Sequence, residues 1–170
     1  MIENNEDYDI CSKCGGECCR HLPGPMFPQD FDKDLNRNKI KNNLLKAINS
    51  GLYSIDYWEG DPLQSDDNEP GNDDLDTISW GRAYYIRPRI RGNDIIDPAW
   101  YGECIFLTST GCALDWEQRP SGCRAVVPEK NHECDLQGNY GKQDSAVAWL
   151  KFNDIIRKIE STVRAACGEK

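Results

Sequence analysis

Residues 11 to 19 read CSKCGGECC, and this segment places four cysteines within nine positions of the chain. Thiols at that density serve as metal ligands, as disulfide partners, as a redox couple or as small buried hydrophobic groups. The whole chain has nine cysteines in 170 residues. An odd number is atypical of a secreted disulfide scaffold, in which cysteines pair. The cluster therefore constrains the fold more than any other segment, and disulfides explain it poorly.

The charge and hydropathy patterns predict a cytoplasmic protein. A formal net charge of -9 repels nucleic acids and anionic membranes, so neither is expected as a partner. No run of about 18 apolar residues occurs, and the N-terminal MIENNEDYDI is acidic where a signal peptide is basic and then apolar. Because a reducing compartment rarely keeps structural disulfides, the predicted location favours metal binding by the cysteines.

The length and patterning predict a single domain over residues 1–170. We expect an α+β fold with two longer helices, a short antiparallel hairpin or sheet and extensive loop, stapled by metal because the core is thin. Residues 59–76 are acidic, contain two prolines and show no periodicity, which is typical of a solvated loop insert.

Three segments carry recognisable periodicity. Apolar residues at helical spacing predict one helix from about Asp30 to Gly51 and a second over residues 144–168. The segment AYYIRPRI, residues 83–90, predicts a strand in which Pro88 marks an edge or a bulge.

The segment ECIFLTSTGCALDW, residues 103–116, predicts a β-hairpin around the turn TSTG. If Leu107 pairs with Cys112, strand alternation places Cys104 and Cys112 on opposite faces. We then expect these two cysteines not to share one metal without a bulge.

Within the cluster, Cys11 and Cys14 form a C-x2-C pair. A chain that reverses over this spacing brings two sulfurs to the roughly 3.5 to 4 Å separation that a Zn–S bond near 2.3 Å requires. The two glycines that follow allow positive φ angles. Cys18 and Cys19 are adjacent, so in an extended segment they point to opposite sides, one towards the metal and the other towards either a second metal or the core. A thioredoxin-like couple fits badly, because its C-x-x-C opens a helix after a strand.

The two histidines, His21 and His132, each lie close to a cysteine in the sequence. Either could complete a mixed nitrogen and sulfur site, but with eight cysteines nearby neither is needed.

The cluster, followed far downstream by GECIFLTSTGCALDWEQRPSGCRAVVP and a further cysteine, resembles the bacterial zinc- or iron-chelating cysteine-cluster family named for its CxxCxxCC motif. A related domain occurs in flagellin lysine methylases. The resemblance covers the cluster and the hairpin region, and it does not extend to the acidic insert or the last helix. It implies these metal ligands: Cys11, Cys14, Cys18, Cys19, Cys104, Cys112, Cys123 and Cys134.

Two departures from the family pattern matter. This chain has three residues between Cys14 and Cys18 where the motif has two, which leaves open which of Cys18 and Cys19 is a ligand. Cys167 has no counterpart.

The family pattern R-P-x-x-C-R also includes Arg119, Pro120 and Arg124. Proline is favoured at the start of a helical turn, so we expect Pro120 to begin a turn that presents Cys123. Arg119 and Arg124 are then candidate cofactor-binding residues, because their guanidinium groups could neutralise an anionic metal centre; alternatively, they tie down the loop.

Both zinc and an iron–sulfur cluster suit thiolate ligands. Four thiolates around zinc form a closed structural site, whereas iron–sulfur clusters accept cysteines from irregular positions. The all-cysteine set and its wide spacings therefore favour an iron–sulfur cluster, of the 4Fe–4S type, over zinc. The eight cysteines could serve two centres, or one centre with the remaining cysteines buried. The leading expectation is a cytoplasmic cysteine-cluster protein whose partner is a metal ion or cluster.

Two other classes of function remain open. One is a cluster-dependent redox enzyme or an enzyme that modifies a protein or peptide, in which the arginines at 82, 87, 89 and 91 grip an anionic substrate; otherwise these arginines are strand-edge cations paired with the acidic insert. The other is a zinc-stapled protein-binding module that uses the acidic loop or the tryptophans Trp58, Trp80 and Trp100.

Overall fold

The computed structural model describes residues 2–63, 82–99, 101–129 and 134–167, and its fold is α+β as predicted. Helices and strands alternate irregularly along the chain. The helices are α1 (Tyr8–Cys14), α2 (Glu17–His21), α3 (Pro28–Phe31), α4 (Arg37–Asn49), α5 (Ser121–Arg124), α6 (Lys142–Trp149) and α7 (Asn153–Cys167). The strands are β1 (Tyr53–Trp58), β2 (Ala83–Pro88), β3 (Leu107–Thr108), β4 (Gly111–Cys112), β5 (Val126–Val127) and β6 (Asp135–Leu136).

The strands form small antiparallel pairs, β1 with β2, β3 with β4 and β5 with β6. The pair β1–β2 runs from Tyr53 opposite Pro88 to Trp58 opposite Ala83. On its other side β2 is bridged by Met26, whose N–H donates to the carbonyl of Ile86 at 2.7 Å. Every residue of β2 is buried, because β1, the Met26 segment and α6 surround it. This strand is the centre of the molecule, and Pro88 stands at its end, where a missing N–H is tolerated.

The helix α4 forms because its apolar residues fall on one face. Ile40, Leu44 and Ile48 recur every four residues and are fully buried in the core. At its start, the Asn36 side chain accepts hydrogen bonds from two backbone N–H groups of the first turn. Gly51, with φ of 69°, turns the chain into β1.

The predicted helix from about Asp30 to Gly51 is therefore too long at its N-terminal end. The chain leaves the helical conformation between α3 and α4, where Leu35 has a φ of 56°. The Asp32 carboxylate accepts a hydrogen bond from the Asn36 N–H at 2.8 Å and holds this turn. Propensity and spacing alone do not reveal such a local break.

The predicted C-terminal helix is confirmed, with an interruption. It starts earlier than expected, at Lys142, after the Gly141 N–H donates to the Asp144 carboxylate at 2.9 Å. A turn of 3₁₀ helix, Leu150–Phe152, separates α6 from α7. Trp149 is fully buried, and its indole N–H donates to the Met26 carbonyl at 2.9 Å. The helix pair therefore ties the segment before α3 to the core.

Of the acidic insert predicted at residues 59–76, residues 59–63 belong to the described part and the remainder lies outside it. Trp80, Trp100 and His132 also lie outside the described residues. Trp58 is half-buried at the end of β1 and packs on the core. No helix within the described ranges is long and apolar enough to cross a membrane.

A buried network of charged and polar side chains stabilises the β1–β2 pair. The Arg87 side chain is fully buried, with Nε 2.8 Å from Asp56 Oδ2 and Nη2 2.8 Å from Asp97 Oδ2. The Tyr85 hydroxyl donates to the same Asp56 oxygen at 2.7 Å. Burial raises the pKa of Asp56, although the charge of Arg87 opposes that effect. The network joins β1, β2 and the loop that follows β2.

The sequence suggested that the arginines of this segment grip an anionic substrate or act as strand-edge cations. Both roles are wrong for Arg87, because its side chain is fully buried and pairs with Asp56 and Asp97. Arg82 pairs with Glu160 of α7, and Arg91 pairs with Glu103 and the carbonyl of Leu107. These arginines bind structural partners within the fold.

Replacement of Arg87 by alanine should strongly destabilise the protein, because it leaves two buried carboxylates without their cation. We expect a loss of about 3–5 kcal/mol in the free energy of unfolding, measured by urea titration. The matched control is Lys39→Ala, which breaks a surface pair with Asp32 at 3.6 Å and should cost about 0.2–1 kcal/mol. Equal losses in the two variants would contradict the assigned role of Arg87.

Candidate functional site

Eight cysteines line one cavity of about 300 Å³ between the N-terminal helices, the β3–β4 hairpin and α5. They are all the candidate ligands predicted from the sequence: Cys11, Cys14, Cys18, Cys19, Cys104, Cys112, Cys123 and Cys134. All eight are free thiols. The cavity reaches the lower end of the range of about 300–1,000 Å³ that is typical of cofactor and small-molecule sites. Four separate parts of the chain thus meet around one space.

The first four cysteines are carried by two short helices that fold back on each other. Cys11 and Cys14 lie three residues apart on α1 and so share a face, on a helix rather than in the reversing chain that the sequence suggested. Gly15 and Gly16 take φ angles of 66° and 75°, which confirms the expected positive values. At Gly16 a Cβ would lie 2.7 Å from Leu107 Cδ1, so a side chain there would displace that methyl group.

Cys18 and Cys19 both line the cavity, so the expectation that they point to opposite sides of an extended segment is wrong. That expectation assumed an extended segment, and the structure places both residues in α2. Successive side chains on a helix differ in direction by about 100° rather than 180°. The two sulfurs are 4.0 Å apart.

Cys104 and Cys112 also share the cavity, which corrects the prediction that they lie on opposite faces. The pairing of Leu107 with Cys112 is confirmed. However, β3 contains only two residues, and Cys104 precedes it through a turn in which the Leu107 N–H donates to the Cys104 carbonyl at 3.0 Å. Strand alternation therefore does not reach Cys104.

Cys123 is presented by α5, and Pro120 caps the start of this turn as predicted. The helix is held against α3 because the Asp30 carboxylate accepts hydrogen bonds from the N–H and hydroxyl of Ser121, at 3.0 and 2.6 Å. The Cys123 thiol lies 3.8 Å from the carbonyl of Gly24. Cys123 is thus pressed against the loop that follows α2.

The two arginines predicted to bind a cofactor occupy different places. Arg119 lies on the cavity wall, where its Nη2 is 2.6 Å from Glu6 Oε1 and its Nε donates to the Leu114 carbonyl at 3.0 Å. Arg124 is not among the residues lining the cavity. Its Nη2 lies 2.8 Å from Asp30 Oδ1, so it helps to fix α5.

His21 does not line the cavity within the described residues. Its Nε2 is 2.7 Å from a Glu17 carboxylate oxygen, and its ring packs edge-on against Tyr101. The structure therefore gives this side chain a surface hydrogen-bond partner, Glu17, in place of a metal.

Sequence reasoning missed two residues that shape the site. Glu6 brings a carboxylate to the cavity wall, but within an acidic N-terminal segment nothing distinguishes it. Gly24 sits so close to Cys123 that a Cβ would lie 2.6 Å from the Cys123 nitrogen and 2.9 Å from its sulfur. Its only signal in the sequence is its position between two prolines.

Burial and mutual proximity raise the pKa of four of these thiols, those of Cys11, Cys18, Cys19 and Cys123. Burial, followed by the charges of Cys14, Cys18 and Cys134, raises the pKa of Cys11 to about 11. Burial raises the pKa of Cys123 to about 12. A hydrogen bond with Cys19 raises the pKa of Cys18, and one with Cys104 raises that of Cys19. Because each thiolate would repel the next, several can ionise together only beside a cation.

As a set of donors, the cavity suits a soft metal ion or an iron–sulfur cluster, both of which bind thiolates. Among residues 2–63, 82–99, 101–129 and 134–167, no three His, Cys, Asp or Glu side chains already stand in a metal-ligating arrangement. The thiols share a wall without forming a preassembled coordination sphere, so binding would have to draw them together.

The raised thiol pKa values predict the pH dependence of the metal-free protein. The pKa of the Cys11 thiol rises from 9.0 to about 11 on folding, so the folded state favours the neutral thiol. This contribution to stability is complete below pH 9 and is lost as the pH rises to 11. We expect the urea midpoint of chelator-treated protein to fall over this window, and to fall less in Cys11→Ser. A midpoint that falls equally in both proteins would contradict the role of Cys11.

Replacement of Gly24 by alanine should disturb the Cys123 side of the cavity, because the added methyl group overlaps backbone and sulfur. We expect a loss of about 1–3 kcal/mol in unfolding free energy, with faster alkylation of Cys123 by iodoacetamide. In the control, Gly141→Ala, the added Cβ meets only the end of the Asp144 side chain, at 3.2 Å. That variant should lose less than about 1 kcal/mol and should leave the alkylation rate unchanged.

No protein-family model matches this chain, and the searches found no significant match among curated proteins or solved structures. The resemblance carried by the cysteine motifs therefore stays a prediction.

Proposed function

We propose that this chain is a cytoplasmic cysteine-cluster metal-binding protein, in which an iron–sulfur cluster, rather than zinc, joins the N-terminal helices to the rest of the fold. The observation that carries the proposal is the meeting of eight free thiols, from four separate parts of the chain, around one cavity of about 300 Å³. Thiols left unpaired in such proximity suit a reducing compartment and a soft metal.

The N-terminal arm, residues 2–22, needs such a staple because none of its side chains that the structure describes is a buried hydrophobic one. The buried hydrophobic residues begin at Met26, and α2 has no buried residue. Polar contacts attach the arm, among them the Cys104 N–H donating to the Cys19 carbonyl at 2.7 Å and the Gly102 N–H donating to the His21 carbonyl at 2.6 Å. Metal coordination would supply the stabilisation that apolar burial does not.

The choice of an iron–sulfur cluster over zinc follows from the irregular spacing of the thiols along the chain and the size of the cavity. A structural zinc site is satisfied by four ligands in a compact tetrahedron. Here eight thiols surround a space far larger than the roughly 10–15 Å³ that one water molecule requires. Clusters of iron and sulfide fill such a space and accept cysteines from irregular positions.

A cluster-dependent enzyme of redox or protein-modifying chemistry is the second candidate. The observation that favours it is the exposure of Cys18 at the edge of the cavity, since a closed structural site would shield its thiols. A thiol that stays reactive towards iodoacetamide in the metal-loaded protein would favour this alternative, and complete protection would favour the structural centre.

Metal content is the first test of the proposal. Protein purified without oxygen should show a broad absorption band near ~400 nm, with iron and acid-labile sulfide present in equal amounts and in multiples of about four per chain. A colourless protein that contains zinc would refute the iron–sulfur cluster while retaining metal binding. A protein with neither metal would refute the proposal.

Removal of the metal should release the N-terminal arm while the core survives. We expect a lower Tm and loss of hydrogen-exchange protection in α1 and α2, because the described side chains of these helices include no buried hydrophobic one, whereas α4 and α7 stay protected. The control is Cys167→Ser in α7, which should keep full metal content and the wild-type Tm. A metal-stripped protein with unchanged Tm and far-UV circular dichroism would contradict the stapling role.

A further inference from the structure

The cysteines of the cavity do not have the same neighbours, and the division passes between Cys18 and Cys19. Both belong to α2, where adjacent side chains leave the helix about 100° apart. Cys18 is exposed and Cys19 is partly buried. The two thiols are 4.0 Å apart. Even so, Cys18 and Cys19 make their other contacts with different parts of the cavity wall.

Cys19 belongs with the hairpin. Its carbonyl accepts the Cys104 N–H at 2.7 Å, which places the two residues side by side. Gly16, at the start of α2, lies close to both Leu107 and Cys19, since a Cβ added there would be 2.7 Å from Leu107 Cδ1 and 3.9 Å from Cys19 Cβ. Leu107 in turn pairs with Cys112 across the hairpin. Cys19, Cys104 and Cys112 therefore surround one end of the cavity.

Cys123 joins this end from the other side. The loop that leaves α2 carries Gly24, whose carbonyl is 3.8 Å from the Cys123 sulfur. Arg119, which begins the segment leading to Cys123, lies close enough to Cys112 and Cys123 to interact with the charge of both. This set consists of Cys19, Cys104, Cys112 and Cys123.

The remaining cysteines gather around α1. Cys11 and Cys14 share one face of that helix. Cys134 is brought near by two hydrogen bonds that tie Gln137 to Glu3, one at 3.3 Å from the Glu3 N–H and one at 3.1 Å to the Glu3 carbonyl. Cys11 interacts electrostatically with Cys14, Cys18 and Cys134.

Cys18 lies between the two sets, since Cys123 also interacts with it. Because the backbone contact between Cys19 and Cys104 commits Cys19 to the hairpin end, Cys18 is the member of the adjacent pair left to complete the set around α1.

We propose that the cavity holds two metal centres, an inner one bound by Cys19, Cys104, Cys112 and Cys123 and an outer one bound by Cys11, Cys14, Cys18 and Cys134. This inference rests on the proposed function, and it assigns the adjacent cysteines to different centres.

The two centres differ in exposure. Cys104 of the inner set is 3% exposed, whereas Cys18 of the outer set is exposed to solvent. Arg119 and Glu6 do not distinguish the sets by charge, because their side chains pair with each other at 2.6 Å. A chelator in solution reaches exposed ligands first, so the outer centre should lose its metal first.

The test uses cobalt(II) added without oxygen to the full-length, metal-free protein. Thiolate-to-cobalt absorption should saturate at two equivalents per chain, and excess EDTA should remove the metal in a fast and a slow phase. The fast phase belongs to the outer centre. Saturation at one equivalent with a single phase would overturn the two centres while leaving metal binding intact, whereas no thiolate-bound cobalt at all would overturn the proposed function itself.

The adjacent cysteines supply a matched pair of variants. Cys18→Ser should bind one equivalent and lose the fast phase, and Cys19→Ser should bind one equivalent and lose the slow phase. Cys14→Ser and Cys112→Ser should repeat these two patterns, which covers the case that Cys19→Ser fails to fold. Cys167→Ser should match the wild type. If Cys14→Ser and Cys112→Ser remove the same phase, the assignment is overturned.

Discussion

The fold depends on a guanidinium group that has no access to water. Arg87 sits at the end of the central strand β2 and contacts Asp56 of β1 and Asp97 of the following loop. The same loop is tied to β1 by the Ile55 N–H donating to the Ile95 carbonyl at 2.7 Å and the Asp97 N–H donating to the Ile55 carbonyl at 2.9 Å. A buried charge tolerates few geometries, because an unpaired one costs several kcal/mol. The chain that leaves β2 is therefore held in one path.

That path leads directly to the cysteine cavity. Beyond β2, the Arg89 carbonyl accepts the Ile105 N–H at 2.9 Å, and Ile90 forms a β-bridge with Cys104. On the opposite side of β2, Met26 forms a β-bridge with Ile86, which attaches the segment that begins with α2 to this strand. The apolar core and the cavity are thus neighbours that share one strand, and the core positions the loops whose thiols face each other.

Residue patterns in the sequence were enough to predict the long helices and the strand β2, but neither the strand β1 nor the short helices α1 and α2. Ile40, Leu44 and Ile48 repeat at helical spacing, so α4 could be recognised without its partners. The strand β1 could not, because Asp56 interrupts its apolar pattern and its partner Arg87 lies 31 residues away. For the cavity, the cysteine motifs and the family resemblance that they carry identified the eight thiols as candidate metal ligands. Their sharing of one wall depends on strands of two residues and on a helical α2, and neither leaves a clear pattern in the sequence.

The distribution of the thiols along the chain has a consequence for biosynthesis. Cys11 leaves the ribosome long before Cys134, and at about 5–20 residues per second the interval between them lasts several seconds. During that interval the early thiols have neither their later partners nor an apolar core to cover them. The cavity can be completed only after most of the chain has been made, so the nascent N-terminal arm has to be protected from oxidation while synthesis continues.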